Sequence, residues 1–170
     1  LALGAERPDP GLMRQPPRFA HERLLSWPLL ARAYLWLGPL QAAAALAAFF
    51  FVLHLGGWQY GEFLASADPL YRQATTACLA AIVVAQMVNV FLCRHPRVAA
   101  IHFPLTRNPL LLLGLAVELA LILAIVYTPL GNELFATQAF APVVWGLMIA
   151  LAVAIAVLEE TRKYLARRYS

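Results

Sequence analysis

Four polar side chains sit inside otherwise apolar runs of this sequence: Gln41, Gln86, Asn89 and Glu118. A carboxylic acid or amide in such surroundings costs free energy unless it is paired, wet or bound to a cation. Glu118 lies about 12 Å by helical rise from Leu110 and about 13 Å from Tyr127, near the middle of its run. An ionised acid there costs on the order of 2.5 to 3.5 kcal/mol on insertion scales, so it is protonated, paired or holding a cation. Ion or proton handling is one reading, and a protonated acid bonded to a neighbouring helix is the other. Gln86 and Asn89 are three residues apart and share a helix face, about 60° apart around the axis. Their carbonyl oxygens suit hard cations, and equally suit interhelical hydrogen bonds. Midplane placement allows Gln86, Asn89 and Glu118 to converge. Gln41 precedes an alanine run, Ala42 to Ala45, that favours close helix packing.

These residues need helices long enough to carry them into lipid. Of 170 residues 62% are hydrophobic and 13% charged, and the mean hydropathy is +0.68. So few charges cannot coat a soluble domain of this size, so lipid must cover the rest. Apolar runs extend from about Ala33 to Leu55, Ala74 to Cys93, Leu110 to Tyr127 and Phe140 to Leu158. Crossing a hydrocarbon core of about 30 Å takes roughly 17 to 25 helical residues, and open strands cannot cross it. The expectation is an all-α membrane protein with four transmembrane helices in two antiparallel hairpins. Residues 1–28 form a proline-rich loop or linker and residues 29–170 the four-helix domain.

Charge sets the orientation. All 13 Lys/Arg except Arg72 lie before the first run, between the second and third, or after the fourth. Basic residues stay cytoplasmic, which places both termini and the 1–28 arm there. Trp58, Tyr60, Tyr127 and Trp145 then mark the outer headgroup layer. Gly38 and Pro39 should loosen or kink the first helix. Glu159 and Lys163, at i,i+4, suggest a solvated helix end. Cys78 and Cys93 lie about 22 Å apart along one helix and cannot bridge. The arginines are spread over three segments without aromatic stacking platforms, which excludes a nucleic-acid binder.

Several strings resemble the carboxy-terminal part of cation-transporting P-type ATPases, helices seven to ten. PDPGLMRQPPR from Pro8 is similar to the cytoplasmic loop after their sixth helix. ARAYLWLGPLQAAAALAAFFFVL from Ala31 resembles the seventh helix, and QATTACLAAIVVAQMVNVFLCR from Gln73 the eighth. NPLLLLGLAVELALILAIVYTPLG from Asn108 resembles the ninth, and LEETRKYLARR from Leu158 the end of the tenth.

The resemblance implies that Gln86 stands where reticulum-type calcium pumps carry a ligating glutamate and sodium-potassium pumps a glutamine. Asn89 matches an asparagine of the former and a sodium-site aspartate of the latter. Glu118 matches a ninth-helix glutamate of the third sodium site. It further implies an ATP-driven cation pump in a plasma membrane, with ATP and magnesium bound by the full-length protein and the remaining pump domains as partners. The DKTGT, TGES and TGDGxND motifs of such pumps do not occur in these residues, so catalytic residues and cofactors are expected elsewhere in the pump. The opening at Leu1 fits a piece of a longer chain. A free-standing four-helix scaffold, regulator or small carrier is the alternative.

Overall fold

A computed structural model describes residues 27–93 and 108–168. Among them the order is α1 (Trp27–Ala31), a π-helical turn (Arg32–Leu37), α2 (Gly38–Leu55), α3 (Pro69–Leu92), α4 (Pro109–Tyr127), α5 (Pro129–Phe135) and α6 (Val143–Arg168). The described residues contain helices and no strands. The stretches Leu29–Leu55, Pro69–Leu92, Pro109–Tyr127 and Val143–Arg168 are long and apolar enough to cross a membrane. The proline-rich arm falls almost wholly outside the described residues.

Three helices start with the same local chemistry. Asp68, Asn108 and Thr128 each precede a proline, and each accepts a bond from a first-turn amide: Leu70 N at 2.8 Å, Leu111 N at 3.1 Å and Gly131 N at 3.1 Å. The side-chain oxygen satisfies one orphan donor, and the proline occupies a position whose N–H has no helical partner. This cap starts α3 at Pro69, a turn earlier than hydropathy suggests. The last helix likewise runs beyond Leu158, through its charged turns to Arg168.

Gly38 and Pro39 do loosen the first helix, by widening it. The Gly38 amide donates to the Ala33 carbonyl, five residues back. A wider turn makes room for a proline that would clash with a carbonyl four residues back in a regular helix. It also shifts the register by one residue. Arg32 and Trp36 therefore share a side of the rod with Gln41, Ala44 and Ala48, five residues separating 36 from 41.

The tightest packing joins α2 to α3, and α6 lies against both. Small residues explain the closeness: Ala44, Ala45 and Ala48 meet Ala74, Ala77, Ala81 and Ala85, all buried. Small side chains let helix backbones approach and gain dispersion contacts, the main source of association in lipid. The inward face of α6 is a single stripe of Val144, Met148, Ala152, Ile155, Glu159 and Lys163. Phe49 stacks edge-on against Tyr71, while Arg32 at the other end of the rod reaches the Leu92 carbonyl, so α2 and α3 run antiparallel. The α4 helix packs on α3 and α5, burying Leu111, Ile122 and Val126. Most of its other leucines face outward, as a helix bathed in hydrocarbon allows.

Candidate ion-path residues

Gln41 and Gln86 meet. The Gln86 amide nitrogen donates to Gln41 Oε1 at 3.0 Å, tying the first turn of α2 to the last two turns of α3. The alanine surfaces around them bring the two backbones close enough for such short side chains to touch. Asn89 acts within its own helix, its Oδ1 accepting from the Cys93 thiol at 3.2 Å.

Glu118 stands apart from these amides. It is half-buried and lines a cleft of about 260 Å³ between α3 and α4, with Leu79, Val83, Gly114, Val117, Leu121, Ile122 and Ile125. Its neighbours on α3 belong to the stretch before Gln86, whose amide turns toward α2. The structure thus joins Gln86 to Gln41 and leaves Asn89 and Glu118 in separate surroundings. Within the described residues the Glu118 carboxyl has no hydrogen bond or ion pair. Gly114, one turn before it, has open space where a side chain would project. The cleft can accept a further group against the acid.

A second polar centre escaped the sequence reading. Glu159 is 0% exposed. Its Oε1 pairs with Arg32 Nη2 at 2.6 Å and with Arg162 Nη2 at 2.7 Å. Its Oε2 accepts from Arg162 Nε at 2.9 Å and Trp36 Nε1 at 3.1 Å. Arg32 Nη2 also donates to the Leu92 carbonyl at 3.2 Å, closing the carboxy-terminal end of α3 into the same cluster. Lys163, also 0% exposed, pairs with Glu160 at 2.9 Å.

The expected solvated pair of Glu159 with Lys163 is therefore wrong on both counts. The carboxylate is buried, and its partners come from the first helix and from Arg162. A buried carboxylate takes the geometry that supplies most donors, and Arg offers a planar fork that one ammonium cannot. The signal lay in the spacing: the inward stripe of α6 continues unbroken from Ile155 into Glu159 and Lys163.

Sequence comparison gives these helices their family. Residues 1–165 match the family model described as the C-terminus of cation transporting ATPases. The chain belongs to this family. It is 27% identical over 98% of its length to an endoplasmic reticulum calcium ATPase of Aspergillus fumigatus. It is 31% identical over 89% of its length to a calcium-transporting ATPase of Bacillus subtilis. Against the alpha subunit of a Drosophila melanogaster sodium/potassium-transporting ATPase the figures are 25% and 99%. The chain spans only 19%, 16% and 18% of those proteins. As the C-terminal membrane region of a cation-transporting P-type ATPase it is an integral, multi-pass membrane protein. The free-standing alternative gains no support from this match.

Proposed function

We propose that these helices serve an ATP-driven cation pump by supporting its transport core and lending polar side chains to an ion or proton path. Glu118 is the principal contributor, and the Gln41–Gln86 pair and Asn89 are secondary ones. The observation that carries the reading is a carboxyl group halfway along a membrane-length helix, facing an apolar cleft and unpartnered among the described residues. Such a group stays in a membrane protein at a cost, and a passing cation or proton is a partner that offsets it. Gln41 and Gln86 place an amide pair nearer the basic end of the bundle than Glu118, and they add no charge.

ATP, magnesium and the phosphorylated aspartate belong to other parts of the pump in this reading. The arm 1–28 and the basic helix ends face the cytoplasm, following the arginine distribution. A plasma membrane location is part of the same proposal. Replacing Glu118→Gln in the complete pump tests the ion-path role. The expected result is a shifted cation dependence or pH profile of ATP-driven transport with normal amounts of folded protein. Identical transport curves across cation concentration and pH would reduce Glu118 to a packing residue.

A further inference from the structure

The short helix α5 takes no part in the reading above, yet its faces are sharply distinct. Gly131 is pressed onto the end of α4: a Cβ there would stand 2.5 Å from the Ala124 carbonyl oxygen and 2.7 Å from Ile125 Cα. The Asn132 amide, turned so that its nitrogen meets acceptors, donates to the carbonyls of Val126 at 3.0 Å and Ile125 at 3.1 Å. Thr137 Oγ1 donates to the Ile125 carbonyl at 2.7 Å. Asn132 and Thr137 thus satisfy the last carbonyls of a membrane span, Gly131 lies flush against it, and α5 is fixed to that span.

With that face assigned, Leu130 and Leu134 stand one turn apart on the outward side, 74% and 71% exposed, with Phe135 beside them at 55%. Glu133 is exposed about 60° from Leu130 on the helical wheel, on the side away from Leu134 and Phe135. The height of α5 is fixed as well. It begins two residues after Tyr127, whose hydroxyl accepts from Trp145 Nε1 at 2.7 Å. Tyr and Trp rings of this kind settle in the headgroup layer. Two exposed leucines and a phenylalanine, held rigidly at that depth, match the boundary between headgroups and acyl chains better than water.

We infer that α5 is an interfacial helix whose partner is the bilayer surface, with Leu130, Leu134 and Phe135 lodged at the headgroup–acyl boundary and Glu133 reaching water. Anchored this way, α5 sets the depth of α4 and with it the height of Glu118. The inference rests on α4 crossing the membrane and is independent of any role for Glu118 in transport.

The test is a nitroxide label at Leu134→Cys in the complete pump, with Cys78, Cys93 and other reactive cysteines replaced, reconstituted in phosphatidylcholine vesicles. Collisions with dissolved oxygen and with a water-soluble nickel chelate are measured by power saturation. The expected result is a several-fold preference for oxygen at 134, corresponding to a depth of about 5–10 Å below the headgroups, and a preference for nickel at Glu133→Cys. Equal nickel access at both positions would mean that α5 stands in water and would overturn the inference. Exclusion of both reagents at 134 would overturn it too, because protein would then cover that face. Leu130→Cys provides the same reading if the label at 134 prevents folding.

Discussion

Two carboxylates, one on α6 and one on α4, meet opposite fates. At the basic end of the bundle Glu159 is fully buried, and Arg32, Trp36 and Arg162 take up both of its oxygens. Halfway along α4, Glu118 is half-buried against apolar side chains and has no partner among the described residues. The first carboxylate ties three helices together, since its ligands come from the first helix and α6, and Arg32 continues to the end of α3. The second ties nothing within this region. A buried carboxylate with both oxygens occupied is a structural joint, whereas Glu118, open in an apolar cleft, joins no two elements among the described residues.

Substitutions can break or sharpen that contrast. The largest effect should come from Glu159→Ala, which strands Arg32 and Arg162 without their counter-charge. Removing one member of a buried ionic cluster costs about 3–5 kcal/mol, so thermal melts of the full-length protein in detergent should show a large loss. A melt unchanged from the parent would mean that water or lipid already satisfies these arginines. Next comes Trp36→Phe, which keeps a ring but deletes the indole donor to Glu159. A hydrogen bond to a charged group is worth about 1.5–3 kcal/mol, and denaturant titration should register a loss of that order. A smaller response than to Glu159→Ala is required if the arginines dominate the joint.

Gln86→Ala removes the bond to Gln41 between α2 and α3. Interhelical bonds in membranes average about 0.6 kcal/mol, because the alanine faces go on holding the helices. A loss several times larger would make the amide pair a main support of the hairpin. Smallest of all is the stability effect of Glu118→Gln, expected within about 0.5 kcal/mol because no partner is lost. Its mark should fall on cation dependence instead. A strongly destabilised Glu118→Gln protein with unchanged transport would place Glu118 in the same class as Glu159 and erase the contrast.

The first helix shows how a local irregularity serves the joint. The π-turn before Pro39 shifts the register so that Arg32 and Trp36 aim at the side of the rod on which Ala44 and Ala48 pack. Glycine and proline announced a loosened helix. Which way it would loosen depended on α3 and α6 being there to receive both surfaces. Gln86 teaches a related lesson: its helix face was legible from its spacing with Asn89, but its partner was not. Interhelical partners are set by how rods rotate against each other, and the alanine stripes that fix this rotation carry no label for their mates.

The sequence by itself determined the membrane class, the four spans and most of their ends. Hydrocarbon thickness dictates run length, and the Asp-Pro, Asn-Pro and Thr-Pro caps act within a single turn. Its strings also carried the resemblance to cation-transporting ATPases. Only the tertiary structure decided that Glu159 is a buried joint, that Gln41 is the mate of Gln86, and that Glu118 faces its own cleft. Those outcomes depend on which faces of distant helices touch, and the energy of a polar side chain in lipid is set by its neighbours far more than by its position along the chain.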